Sequence, residues 1–391
     1  MSLELAISLL EQNYSDKKQF YKALRLFKKP QNSLKKKLTL KLSNGKKGVF
    51  QSYRVQHNDS LGPFMGGIKF SNILTEDEVK KLALFETIKS GLVDIPFGGS
   101  FGGISVDRDK VGTKDLMRIT KCYSQFLSSN IGTWKDILMP NAGINDQTMA
   151  WMMDSYEKKK KFHSPATFTV NKYNLDGAVY VLEEYVRSSN LFSRFRKLDI
   201  AISGFGDRAY TFATNLNKQN YRVVAVSDSK GGVVNSSGFD VDEIKKLKDK
   251  YFDLKQVSII ENKEFISNDK LLELPVDILV VATKQSDVVK TNAKIVLEMT
   301  NKELVIPNAI ILPSLLLNSG FNVISHLDWV QKMHGSNWSK EDVVKKVNLK
   351  AKKSFSDVKK IAEEKNTDYR TASYYLGLKR IIDSMIDRGR I

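Results

Sequence analysis

The sequence predicts an α/β protein of two domains, and three observations carry that expectation. The chain has 391 residues, which suits two ordinary domains better than one, and 41% hydrophobic residues, enough to fill two cores. From about residue 175, short apolar runs alternate with helical stretches, the pattern of a parallel sheet with helical crossovers. One of those strand–helix junctions, Gly204-Phe205-Gly206-Asp207-Arg208-Ala209, is rich in small residues, as a tight, close-packed turn requires.

The elements follow in order. Leu3 to Leu10 reads as an amphipathic helix. Leu38–Leu42 alternates as a strand, Asn44-Gly45 is a hairpin turn signal, and Val49–Val55 is the expected partner strand. Thr75 to Ser90 reads as a helix: Thr75 caps it, Glu78 stands three residues later, and Val79, Leu82, Ala83 and Leu84 give an apolar face. Thr113–Ser128 and Asp146–Lys160 are further helices. In the second half, Leu198–Ser203 and Tyr221–Asp228 read as strands, with a helix between them to about Lys218. Val276–Ala282, Lys294–Met299 and Asn322–Ile324 are candidate later strands, and from about Lys340 the chain is helical and charged.

Bulk properties exclude several classes. No run of about 18 uncharged apolar residues exists, so no membrane span is expected. Glu4, Glu11 and Asp16 are incompatible with a signal peptide, and the single Cys122 cannot form an internal disulfide; both fit a cytoplasmic protein. His163, His326 and His334 lack metal-ligand spacing and His57 reads as structural, so no metal is expected. The net charge of +18, from 62 basic and 44 acidic residues, favours polyanions in general. Yet the lysine clusters at 35–37, 158–161, 245–250 and 345–353 lie in no nucleic-acid module and are not interleaved with stacking aromatics. They read as solvated helix faces, and nucleic-acid binding has no motif behind it.

The glycine-rich junction has the context of a dinucleotide site. Gly204 would make the tight turn, Gly206 would let the backbone approach a pyrophosphate, and Ala209 would let helix pack on strand. Asp228 closes the next strand 24 residues after Gly204, where an acid bonds a ribose hydroxyl and favours NAD over NADP. A Rossmann-type doubly wound domain is therefore expected. Asp207 brings a negative charge to the helix start, either as a cap or against phosphate, with Arg208 available to compensate. The cofactor expectation is NAD or NADP, or a retained fold with no cofactor.

Several segments resemble the Glu/Leu/Phe/Val amino-acid dehydrogenase family: Tyr53–Asp59, Leu61–Phe70, Gly91–Gly99, Met149–Tyr156 and Val224–Ser229. They occur in family order from about Val49 to the end. The resemblance implies an N-terminal mixed-sheet domain, residues 1–178, completed by C-terminal helices from about 340 to 391. It also implies a dinucleotide domain over residues 179–339, a cleft between the two, and a homo-oligomer, commonly a hexamer. In the family, one lysine and a serine hold the substrate carboxylate, a lysine in a glycine-rich loop activates water, and an aspartate moves protons.

Against that pattern the chain departs at the chemistry. Phe101 stands in Gly98-Gly99-Ser100-Phe101-Gly102-Gly103 where the loop lysine belongs. Asn141, in Pro140-Asn141-Ala142-Gly143, stands where the aspartate belongs. Met65 replaces a substrate-contacting lysine. Lys89 and Ser325 match the substrate-side lysine and serine, and Asn301 matches a cofactor-side asparagine. The inter-domain segment around residues 168–177 is shortened, and residues 282–286 depart from the family's asparagine-bearing loop. General acid–base help is worth about 10²–10⁴-fold, and a charge-stabilising donor about 10²–10³-fold. Losing both implies negligible family-type turnover. The first expectation is thus a non-catalytic scaffold or regulatory protein, self-assembled or co-assembled with an active relative. The alternatives are an NAD(P)-dependent oxidoreductase of altered substrate and a basic nucleic-acid-associated protein.

Overall fold

The structure is a computed structural model that describes residues 2–141, 143–189, 196–251, 253–283, 290–300 and 303–391. The chain divides into two compact units. The first comprises residues 1–173, 321–346 and 374–391, and the second residues 174–320 and 347–373.

In the first unit, α1 (Ser2–Glu11) and α2 (Lys17–Phe27) precede the hairpin of β1 (Asn32–Lys41) and β2 (Lys47–Asn58). Then come β3 (Phe64–Phe70), α3 (Glu76–Leu92), β4 (Gly98–Ile104), α4 (Thr113–Leu127), β5 (Asp136–Pro140) and α5 (Asp146–Lys160). The sheet order is β1-β2-β4-β3-β5. Its β1/β2 and β2/β4 pairs are antiparallel, and its β3/β4 and β3/β5 pairs parallel. The expected mixed sheet is therefore present, with a first strand that starts six residues before Leu38. The hairpin turn uses Gly45 at φ 81°, in the left-handed region that glycine enters without strain.

The sheet separates two apolar layers. On one side Ile68, Phe70, Ile104 and Leu138 pack against Ile119, Tyr123 and Met152 of α4 and α5. On the other, Tyr53, Val55 and Phe101 pack against Val79, Leu82 and Ala83 of α3. Helix α3 begins as its sequence demands: Thr75 Oγ1 accepts from the Glu78 amide at 3.2 Å, and Glu76, Asp77 and Glu78 complement the helix dipole. Its last two turns, Glu86 to Leu92, are buried on every face. Gly99 explains how close that packing is. A Cβ there would lie 2.1 Å from the Thr87 backbone nitrogen, so only glycine lets helix and strand meet.

In the second unit, α6 (Ala178–Ser188), β6 (Leu198–Ser203), α7 (Asp207–Asn215), β7 (Tyr221–Ser227), β8 (Gly232–Val234) and α8 (Val241–Tyr251) lead to α9 (Leu254–Ile260). After them come β9 (Glu264–Ile266), α10 (Asn268–Leu272), β10 (Ile278–Val281), β11 (Ile295–Glu298) and β12 (Ile310–Leu312). The sheet order β12-β11-β10-β6-β7-β8-β9 is parallel from β12 to β7 and antiparallel beyond. Strands β6, β10 and β11 are buried and apolar throughout or nearly so, as strands covered on both faces must be. This is a doubly wound domain.

The last helices are α11 (Ser314–His334), α12 (Lys340–Glu364) and α13 (Tyr369–Asp387). Asn322–Ile324, expected as a strand, lies inside α11. A three-residue run has no periodicity of its own, and the 21-residue helix around it decides its conformation. Residues 321–339, expected with the dinucleotide domain, fall in the first unit. Residues 347–373, expected with the N-terminal domain, fall in the second. The physical ties for the former are both polar and aromatic: Asn322 and Trp329 of α11 hydrogen-bond to Glu86 and to the Thr133 carbonyl, and Trp329 packs edge-on to Phe97 and Trp134. Among the described residues, no helix is long and apolar enough to cross a membrane.

Candidate functional site

In the first unit, the parallel pairing of β3 with β4 and β5 brings three singled-out positions together. Side chains alternate along β3, so Met65, Gly67 and Lys69 share the α3 face, and Lys69 is ion-paired there with Glu78 at 2.7 Å. Met65 is fully buried, with Gly99 and Ile137 as its strand partners. Phe101, on the same face of β4, is 1% exposed. A Cβ on Gly67 would stand 2.6 Å from the Phe101 ring and 3.2 Å from the side chain of Asn141. Phe101 and Asn141 thus converge on one glycine. Phe101 fills the interior side of that point, and Asn141 lies on its exposed side.

Burial of a phenyl ring contributes about 1.5–3 kcal/mol, so Phe101 works as a core residue. It has neither a donor nor a proton to give. Asn141 has an amide that can hydrogen-bond but cannot act as a base at neutral pH.

Lys89 is at the buried end of α3, and its ammonium is not free. Lys89 Nζ donates to Glu86 Oε1 at 2.7 Å, with side-chain exposures of 11% and 3% for the pair. The other carboxylate oxygen, Oε2, accepts from Asn322 Nδ2 of α11 at 2.9 Å. Ser325 is one turn beyond Asn322 on the same helix face, and it too is buried. Sequence reasoning missed Glu86 and Asn322. The spacing Glu86-x-x-Lys89 was a signal for the first; nothing local marks the second.

The opposite face of the sheet holds a second buried pair. Arg54 Nε donates to Asp136 Oδ2 at 2.9 Å, and Arg54 Nη2 to Ser100 Oγ at 2.6 Å. Ser100 Oγ in turn donates to Asp136 Oδ1 at 2.7 Å, and Gln56 Nε2 to Asp136 Oδ2 at 2.9 Å. Burial pulls the Arg54 pKa down, but Asp136 beside it more than compensates and the guanidinium is held charged. The network ties β2, β4 and β5 together, which makes Ser100 a structural residue. His57 is structural too: it is 2% exposed, lies 2.8 Å from Thr87 Oγ1 through Nδ1, and packs edge-on to Phe27. Burial lowers its pKa to about 4. Among the described residues, no group of three or more His, Cys, Asp and Glu side chains is arranged to hold a metal ion.

In the second unit, the glycine turn has the geometry its sequence implies. Gly204 sits at φ 93°, with its hypothetical Cβ 2.7 Å from Thr283, so no other residue fits. The Phe205 amide donates to the Ser227 carbonyl at 2.6 Å. Gly206 N-caps α7, and a Cβ there would meet nothing within 4 Å, leaving its backbone approachable. Asp228 follows β7, half-buried, with Oδ1 accepting from the Lys230 amide at 2.8 Å and Oδ2 from the Leu254 amide at 3.3 Å.

The charges around this turn differ from expectation. Asp207 points to solvent, 99% exposed, and pairs with Lys245 at 3.4 Å. Arg208, expected to balance it, is turned inward instead. It donates to the Met299 carbonyl at 2.8 Å and lies 3.6 Å from the fully buried Asp176. Burial lowers the Arg208 pKa and raises that of Asp176, in each case against the attraction of the other. The cation that does meet the turn is Lys248 of α8, which donates to the Phe205 carbonyl; burial lowers its pKa as well. Asn301, Lys284, Gln285 and Ser286 lie outside the described residues.

Comparison with known proteins places these features. Residues 30–158 match the model of the Glu/Leu/Phe/Val dehydrogenase dimerisation domain, and residues 176–389 that of the Glutamate/Leucine/Phenylalanine/Valine dehydrogenase domain. A cryptic catabolic NAD-specific glutamate dehydrogenase of Bacillus subtilis is 30% identical, over 94% of this chain and 91% of its own. An NAD-specific glutamate dehydrogenase of Staphylococcus aureus is 30% identical, over 93% and 92%. Among solved structures, a hetero-hexameric glutamate dehydrogenase of Thermus thermophilus in a leucine-bound form superposes with a TM-score of 0.86. It is 27% identical and covers 94% of this chain and 92% of its own.

Proposed function

Because the chain belongs to the Glu/Leu/Phe/Val dehydrogenase family, we propose that it is a member that has kept the fold and lost the family's amino-acid chemistry, acting as a binding or regulatory subunit. The observation that carries this reading is the 1% exposed ring of Phe101, packed into the α3 core beside Asn141 at the position of the reactive loop lysine. Proton transfer, worth about 10²–10⁴-fold, has neither an acid nor a base at these positions, and no cation stands there to stabilise charge. The half-site's remaining ammonium, Lys89, is neutralised by Glu86.

The family fold supports assembly with other subunits, and a relative of 27% identity is itself hetero-hexameric. Co-assembly with an active relative is the role this fits best, with a homo-oligomer as the simpler form. The test is turnover of purified protein with glutamate, leucine, phenylalanine and valine and both NAD and NADP. The reading expects none, and a rate above about 1 s⁻¹, at the low end of ordinary enzymes, ends it.

A second reading, an NAD(P)-dependent oxidoreductase acting on a different substrate, is favoured by the nucleotide turn. The open backbone at Gly206 and the acid at Asp228 suit a dinucleotide, NAD above NADP. Tight binding of NAD that depends on Gly206 and Asp228 supports this reading, and absence of binding removes it.

A further inference from the structure

The buried pair on α3 assigns a role to a residue outside the family chemistry. We propose that Glu86 is a built-in counter-ion that denies Lys89 to carboxylate ligands, so that this half-site takes a neutral or apolar ligand. The proposal rests on the reading of Lys89 as a ligand-facing residue.

Three features of the geometry carry it. First, the pair is interior. An exposed pair at this spacing contributes little and rearranges freely, but these side chains are 11% and 3% exposed, within two helical turns buried on every face. Second, the carboxylate is fixed from two elements: Lys89 holds Oε1 and Asn322 of α11 holds Oε2. Glu86 cannot rotate away from Lys89 without also breaking its bond to α11. Third, the charge on this face is balanced. Met65 and Phe101 are apolar and buried, Lys69 is matched by Glu78, and Lys89 is matched by Glu86.

A carboxylate arriving at Lys89 would therefore find an ammonium already neutralised, and would sit roughly 5 Å from the Glu86 carboxylate. Repulsion between unit charges at that separation, at the effective dielectric of a protein site, weakens binding by about a hundredfold. A neutral ligand meets no such barrier.

The experiment is calorimetric titration of the full chain with glutarate and with its neutral diamide, for wild type, E86Q and E86Q/K89M. Glutamine keeps the hydrogen-bonding shape and removes the charge. The expected result is no preference for glutarate over the diamide in wild type. In E86Q glutarate binding tightens at least about tenfold while diamide binding is unchanged, and the gain disappears in E86Q/K89M. A merely structural role for Glu86 would move both ligands alike. Should E86Q fail to fold, which its circular dichroism melt reports, the wild-type comparison decides alone: a tenfold preference for glutarate overturns the proposal, as does an unchanged glutarate affinity in folded E86Q. Turnover of wild type with glutamate would instead defeat the non-catalytic reading, whichever way the titrations fall.

Discussion

Replacing Phe101 by lysine, the residue that the family resemblance implies for this loop, tests whether this position is a site or core. The structure makes the cost calculable. Phe101 is 1% exposed and packs against Val79, Leu82 and Ala83 of α3, beneath Tyr53 and Val55. Truncation of a ring so placed costs about 3–5 kcal/mol. Lysine restores some of the contacts with its methylene stem, but its ammonium must either enter the apolar layer or push toward Asn141, on the exposed side of Gly67. An uncompensated buried polar group adds a further 1–3 kcal/mol or more. The sum is about 3–6 kcal/mol. At roughly 2–4 °C per kcal/mol for a unit of this size, the calorimetric transition of the first unit should fall by about 6–20 °C in both F101A and F101K. Melting of F101K within about 2 °C of wild type would refute the reasoning, because it would mean that this interior admits an ammonium readily.

Other outcomes follow from the same geometry. In the α3 pair, K89M strands a buried carboxylate and should cost about 3–5 kcal/mol in denaturant unfolding, while E86Q/K89M, which strands no charge and keeps an oxygen for Asn322 Nδ2, should lose markedly less. For His57, the folded pKa of about 4 lies below the ordinary 6.5, so the unfolded chain binds a proton that the native chain does not. Stability from this residue is complete above about pH 6.5 and is lost as pH falls toward 4, by about 3 kcal/mol in all; H57F should flatten that limb of a stability–pH curve. D136N should destabilise the first unit by about 3–5 kcal/mol in the same assay, because it leaves Arg54 charged and buried without its counter-ion. G206A should melt like wild type, since a Cβ there meets nothing, whereas G204A should lower the melting temperature of the second unit.

Much of the fold was legible because its signals are local. The Thr75 cap, the Asn44-Gly45 turn and the β6–turn–α7 junction are each written in a few adjacent residues, and each appears where expected. The short strands β8 and β9 were not legible: three residues in an antiparallel edge carry no period. The run Asn322–Ile324 was misread because its β-branched residues speak for a strand locally while the helix around them decides. Of the site, the substituted positions were visible one by one, but their convergence on Gly67 depends on the pairing of β3 with β4 and β5. The inward turn of Arg208 and the bond from Asn322 to Glu86 join residues 91 and 236 positions apart or in buried surroundings that no local pattern encodes.

Phe101 and Asn141 offer neither a titratable proton nor a cation for amino-acid oxidation. A single-turnover experiment tests this most directly: protein in excess over NAD and saturating glutamate, leucine, phenylalanine or valine, followed by reduced-nicotinamide absorbance. A flat trace is expected with each amino acid. An exponential rise to one reduced nicotinamide per NAD supplied would contradict it, because it would show the chemical step proceeding without the missing groups.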